Sequence, residues 1–569
     1  MDIKTQMKIL SFINKCTQNR TTPIYSNQYI PQKIDFSQFK EDVHLKRISP
    51  QKATIPSQYL LSFLKEFNEL KHTNPHGVMI IKDEKVILDV SYSPYHNHIM
   101  HVTHSLCKSI TSLAVLFAIQ EKLIHLDDLV IDYFSKETTM LTAFKLKKLT
   151  IKHLLTMSSG VDFTEPNSLV ENNWVKGYLE ANLKFKPGTK FHYNSLNTYI
   201  LSVIITKVTH QTLEEYLTKR LFEPLGIFQH YFESCPKGYN KGGWGVYLSL
   251  ESMAKIGLLY LNKGVYNHQR LIDEKLIEEA TSFQINTDPT LNLYGYGYHI
   301  WLNEKENCYQ FNGMLGQNVV IIPEKNMVVA MCAGSTSVFA NSPEIELINR
   351  YFVFPTLKFK PYLDLSYFKL KKQLKSTRFN PFSTSLPLQL LQPYHRRLIN
   401  LKPNIASIMP LFIQGLNNNY TLGIESIMLE VEKKKLKLVI KESHHEYEID
   451  TSLKQQVLEF NQEYYKISTS YQLTYNEDQQ LVLKLEICFI ETSNVRVIKI
   501  FFKDNECQLI FDEIPKLKEL MNNQDSSLMM GHHKFFNIKD QGYFEYYIDR
   551  WLNPHVKGEI EKDENKGGF

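Results

Sequence analysis

No stretch of this 569-residue chain approaches the roughly 18 consecutive apolar residues that a membrane-spanning helix requires, so no integral membrane segment is expected. The opening MDIKTQMKILSFINKCTQNR breaks its apolar residues with Lys, Asn and Gln and lacks a small-residue cleavage site; no signal peptide is expected, and the location predicted is cytoplasmic. Cysteine is sparse, seven residues (16, 107, 235, 308, 332, 488 and 507) with no C-x-x-C pair. That excludes the usual zinc and redox spacings and predicts free buried thiols in a reducing compartment. Charge of one sign is also missing: the net is +5, with basic residues spread along the chain, so no nucleic-acid partner is expected. His101 and His104 have no third ligand beside them, and the adjacent pairs 444–445 and 532–533 would point to opposite faces of a strand. No metal and no cofactor are expected.

The composition, 43% hydrophobic and 22% charged, is that of a globular protein too long for one ordinary domain. Residues 1–50 are polar and irregular, a lead-in segment. Then SQYLLSFLKEFNEL (57–70) has helical spacing, and VMIIKDEKVILDVSY (78–92) reads as a hairpin about KDEK. The segment from Ser105 to Ile124 is apolar nearly all round, a buried helix. Helical patterns fill 125–245, including 149–160 and 197–222. YHIWL, NCYQFNG, NVVIIPE and NMVVAMCAG follow as antiparallel strands. Hairpin first, helices in the middle and strands last predict an α+β domain over 51–375, its sheet assembled from both ends of the segment. From Arg378 to Pro393 turn residues concentrate, and the alternating runs beyond predict a smaller, mostly antiparallel β domain or barrel over 385–545. The charged end, 546–569, is expected to be a flexible tail.

The chemistry concentrates at HSLCKS (104–109), where Ser105 and Lys108 stand one helical turn apart. Side chains at i and i+3 share a face, with Cβ atoms about 5–6 Å apart, so the amine can reach the hydroxyl. The first N–H groups of a helix lack partners and point toward an anion, so Ser105's own N–H could serve an oxyanion. The plainer reading is that Ser105 caps the helix and Lys108 extends to solvent; the S-x-x-K pattern recurs at 37/40, 49/52, 62/65, 234/237, 252/255 and 366/369. Downstream, FHYNSLNTYILS (191–202) follows KPGTK, and Tyr193 stands at a loop tip before a helix.

The order S-x-x-K, LTIKHLLTMSSG, PGTKFHYNS and FEPLGI resembles the β-lactamase-related serine hydrolases: class C β-lactamases, penicillin-recognising D-peptidases, esterases and aminohexanoate-dimer hydrolases. The resemblance covers about 45–350. It implies a β-lactamase/transpeptidase-like domain, an antiparallel sheet flanked by helices with a helical subdomain. It further implies Ser105 as nucleophile, Lys108 and Tyr193 as the proton-handling pair, and Ser195 at the third position of the second motif. The third motif, K-T-G or H-x-G in the family, falls on Phe311-Asn312-Gly313 and departs from it. Phe311 and Asn312 carry no cation, so a substrate carboxylate would lose a contact worth about 1.5–3 kcal/mol. Gly313 lets substrate approach the strand, and the N–H of Met314 is implied as second oxyanion donor. The activity expected is that of a serine esterase or amidase acting on a small or peptide-like substrate through an acyl-serine. The alternative is a catalytically weak penicillin-binding-like sensor or a binding scaffold. Trp174 is open to two readings, a wall of the acyl pocket or a packing residue.

Overall fold

A computed structural model describes residues 40–516 apart from 292, 304–307, 337–340, 360–363, 376, 378–384, 421–422, 434, 444 and 461. It also describes 7–8, 11–12, 15, 27–28, 519 and 553–562. The chain forms two compact units. The first takes the described residues up to position 379, from 40 onward, and the second takes those after it together with the described residues before 34.

The first unit carries strands β1 (Thr73–Lys82), β2 (Lys85–Ser91), β3 (His101–Val102), β4 (His230–Phe232), β5 (Val246–Leu248), β6 (Val265–Tyr266), β7 (Gln269–Arg270), β8 (Gly295–Tyr296), β9 (Trp301–Leu302), β10 (Tyr309–Gly313), β11 (Gln317–Ile322) and β12 (Met327–Ser335). Seven of them form one antiparallel sheet in the order β2-β1-β12-β11-β10-β9-β8. The N-terminal hairpin pairs with the last strand, Val78 against Met331 and Ile80 against Val329, so both ends of the segment build the sheet. Alternate residues of β1 enter different cores. Val78 and Ile80 pack with Leu60, Phe63 and Phe67 of α1 (Ser57–Asn68), whereas Met79 and Ile81 face the larger helical core. Both faces are covered, which is why these strands read as continuous apolar runs.

Helix α2 (Cys107–Gln120) runs through the second of these cores and is buried on every side as far as Ala118. Around it lie α3 (Ile151–Leu155), α4 (Glu165–Leu169), α5 (Trp174–Glu180), α6 (Ser195–Thr209) and α7 (Leu250–Leu261). The helix expected over 197–222 breaks at His210, whose φ is +56°; Thr212 then starts a new turn through a reciprocal cap with Glu215. YHIWL is mostly a turn, because His299 has φ +57° and Gly297 N–H bonds Ile300 O; only Trp301–Leu302 joins the sheet.

The second unit is a ten-stranded antiparallel ring: β13 (Leu398–Leu401), β14 (Ile424–Val431), β15 (Leu436–Glu442), β16 (His445–Asp450), β17 (Gln456–Phe460), β18 (Glu463–Tyr475), β19 (Leu481–Phe489), β20 (Val495–Lys503), β21 (Glu506–Ile514) and β22 (His555–Ile560). Its order, β16-β15-β14-β13-β22-β21-β20-β19-β18-β17, is a meander in which first and last strands pair. At the remaining seam, β16 and β17 are tied by the Gln456 side chain, which accepts from Asp450 N–H and donates to Asp450 O. Residues 555–560, expected in a flexible tail, are therefore β22, hydrogen-bonded to β13 and β21 on its two sides. Helix α8 (Leu411–Asn417) is held by buried groups of this unit. Glu442 accepts from Ile408 N–H, Glu513 accepts from Leu411 N–H, and Arg496 donates to Met409 O.

Candidate active site

Ser105 sits in the single 3-10 turn, His104–Leu106, that leads into α2. The turn is anchored from both sides. Thr103 donates its N–H and its hydroxyl to Val246 O, and His101 and Val102 pair with Leu248 and Tyr247 of β5. His104 is held at φ +49°, a conformation that costs a non-glycine residue on the order of 1 kcal/mol and is kept only where the surroundings enforce it.

Neither half of the plainer sequence reading survives. No side chain caps this helix start, and Lys108 is 1% exposed. Its ammonium group instead donates to Ser105 Oγ at 2.8 Å and to Gly243 O at 2.7 Å. Burial brings the Lys108 pKa down to about 7, although the nearby Glu165 carboxylate, and Cys107 after it, act in the opposite direction.

Tyr193 covers this pair. Lys108 Nζ lies 4.9 Å from its ring centroid, and the ring stacks on Trp301 at 5.6 Å and 18°. Burial pushes the phenol well above its ordinary range, and the hydrogen bond with Ser105 offsets only part of that. The bend that carries Tyr193 is locked by Asn194, which accepts from Leu196 N–H and donates to Val161 O and Phe163 O. Ser195 next to it donates its N–H to Glu165 Oε1 at 3.0 Å. Gly243 must be glycine for this assembly, since a Cβ there would stand 2.6 Å from Ser195 O.

The third motif meets the same turn. A Cβ on Gly313 would lie 2.1 Å from Thr103 O and 3.2 Å from Leu106 N, so the end of β10, and with it Met314, abuts the Ser105 turn. Asn312 donates to Asn318 Oδ1 at 2.6 Å. Phe311 is fully buried and packs edge-on against Tyr260; it is a core residue, not a wall of the site as the motif alignment implies. Trp174 is likewise spent on packing, against Trp244 and Tyr199.

His101 and His104 are buried beside the turn, where burial, then His101 and Lys108, push His104 down to about 3. One grouping with metal-ligand proximity occurs among the described residues, His44, His98 and Glu251. Arg47 donates to both oxygens of that carboxylate, which makes it an ion-pair cluster. His445 is exposed; positions 444, 532 and 533 lie outside the described residues. Sequence reasoning missed Gly243, Trp301 and Glu165. Gly243 lies in NKGGWGV, whose glycines hint at close approach, whereas Trp301 and Glu165 reach the site only through long-range packing.

An antiparallel sheet between two helical layers, with a serine at the head of the buried helix and a lysine one turn on, defines the β-lactamase/transpeptidase-like class of fold. Residues 64–343 match the family model described as Beta-lactamase, so this domain belongs to the β-lactamase-related serine hydrolases, a family that includes enzymes acting on esters and amides. An uncharacterized protein of Alkalihalophilus pseudofirmus is 24% identical over 261 residues, 41% of this chain and 72% of that one. Protein flp of Staphylococcus aureus is 30% identical over 176 residues, 27% of this chain. The chain thus spans only 34% of the length of Protein flp. The octameric penicillin-binding protein homologue of Pyrococcus abyssi is 18% identical with a TM-score of 0.42, covering 82% of this chain and 100% of that one. No described helix is long and apolar enough to cross a membrane.

Proposed function

We propose that this chain is a serine esterase or amidase that works through a covalent acyl-serine on Ser105. The observation that carries the proposal is the 2.8 Å contact between Ser105 Oγ and a buried Lys108 whose pKa lies near 7. A lysine in water stays protonated at neutral pH, with a pKa near about 10.4; burial lowers Lys108 toward neutrality, which makes a free amine lone pair accessible to the serine there. Ser105 Oγ attacks the substrate carbonyl carbon while Lys108 takes the hydroxyl proton. The negative charge that develops on the carbonyl oxygen is met by the N–H groups of Ser105 and Met314. Tyr193, a protonated phenol hydrogen-bonded to Ser105, is placed to pass a proton to the departing alkoxide or amine. Water then adds to the acyl carbon and gives one proton to the Tyr193 phenolate; the ester bond to Oγ breaks, and the proton held by Lys108 returns to Ser105 as the acid departs.

The departure of the third motif supports a substrate class. Phe311 and Asn312 offer no cation where the family's third motif carries one, so esters and neutral linear amides are favoured over β-lactams and D-Ala-D-Ala peptides. The six described cysteines are all free and buried, which supports a reducing, cytoplasmic setting. Incubation with a fluorophosphonate, an aryl ester, a D-amino amide and a β-lactam, read by intact mass, tests the assignment. One adduct on the wild type that disappears in Ser105→Ala is expected, and turnover falls by at least about 10³-fold with it. Undiminished labelling of Ser105→Ala would overturn the nucleophile.

A further inference from the structure

Resting on that reading of Ser105 and Lys108, we infer that Glu165 is a positioning residue of the site, which fixes the Tyr193–Ser195 bend and supplies the negative charge that balances Lys108. The carboxylate is presented by a rigid start of α4, because Asn167 Oδ1 accepts from both the N–H and the hydroxyl of Thr164. From there a chain of contacts leads to the nucleophile. Glu165 Oε1 accepts from Ser195 N–H, Ser195 backs onto Gly243, Gly243 O accepts from Lys108 Nζ, and Lys108 donates to Ser105 Oγ. Glu165 Oε2 forms no hydrogen bond among the described residues, so the charge is not consumed by an ion-pair partner.

The groups that face Lys108 come from several elements: Cys107 and His104 from its own turn and helix, Tyr193 from the bend before α6, His299 from the turn before β9, and Glu165 from α4. Glu165 is the one carboxylate among them. It favours the protonated form of Lys108 and of Tyr193 alike, so the direction of its effect is the same whichever of the two receives the serine proton.

The test is the pH profile of fluorophosphonate labelling in the full chain. Glu165→Gln keeps an acceptor for Ser195 N–H and removes only the charge. Its acidic limb is expected to move to lower pH by on the order of half a unit, with thermal stability preserved. Glu165→Asp keeps the charge and shortens the reach, so its limb stays at the wild-type position while the plateau rate falls several-fold. A limb unmoved in Glu165→Gln, or moved equally in both variants, overturns the role of Glu165 and leaves the serine hydrolase reading standing. A wild type that no probe labels at any pH overturns both. Should Glu165→Gln fail to fold, the Asp variant decides alone, since a shifted limb there contradicts the proposal.

Discussion

Seven S-x-x-K matches in one chain show what spacing alone leaves open at a single residue. Ser252 and Lys255 share the pattern and are both fully buried, yet Ser252 donates to Asp42 and Lys255 to Gly226 O, so they never meet. At Ser105 the two partners bond each other, and the cost falls on Lys108. A lysine near pH 7 in the fold and near 10.4 when unfolded binds fewer protons folded than unfolded across that interval. Stability therefore rises with pH between about 7 and 10.5 and is lowest below pH 7. Lys108→Met relieves this burden. It is expected to abolish labelling while raising stability at pH 6 by about 2–4 kcal/mol, with the gain shrinking toward pH 10 in urea titrations. A variant less stable than wild type at pH 6 would contradict the neutral, buried lysine. Burial of this kind could not be read from spacing; the all-apolar flank of α2 was the only hint.

Secondary structure elements were legible where alternation is strong and where one covered face dictates it. The β1–β2 hairpin and β10–β12 follow their apolar pattern, and the departure at Phe311 was visible in the motif itself. β22 was not, because HVKGEI is short and charged, and its strand conformation comes from the open edges of β13 and β21 on either side. The contact of β10 with the Ser105 turn is likewise invisible in sequence, although it makes Gly313 the tightest glycine fit at the candidate site. Gly313→Ala would force the Thr103 carbonyl or β10 to retreat by more than an ångström, which misplaces the Met314 N–H relative to Ser105. The expected result is a fall in labelling rate of about 10²-fold or more with roughly 1–3 kcal/mol of lost stability. Wild-type labelling kinetics in this variant would show that β10 does not contribute to the oxyanion site.

At the scale of the whole molecule, each unit holds a buried group that titrates against its own stability, and the two act in opposite directions. In the second unit Glu491 accepts from Lys466 N–H at 3.0 Å, with Lys466 Nζ at 3.8 Å, yet burial outweighs both and pushes its carboxyl up to about 8. Glu513 in the same unit is raised too, again by burial, against the pull of Arg496. A carboxyl that holds its proton when folded and has released it when unfolded binds more protons folded between about 4.5 and 8. The Glu491 contribution to the stability of that unit therefore falls as pH rises through this window, whereas the Lys108 contribution to the first unit rises above pH 7. Glu491→Gln removes the penalty without changing the side-chain volume. Calorimetry should show an unfolding transition raised by about 5 °C at pH 8.5, equivalent to about 2 kcal/mol, and almost no change at pH 4.5. Because Ser105 and Lys108 lie in the other unit, labelling at pH 8.5 should be the same in variant and wild type. An equal shift at both pH values would mean that Glu491 is ionised in the fold and that the alkaline loss of stability originates elsewhere.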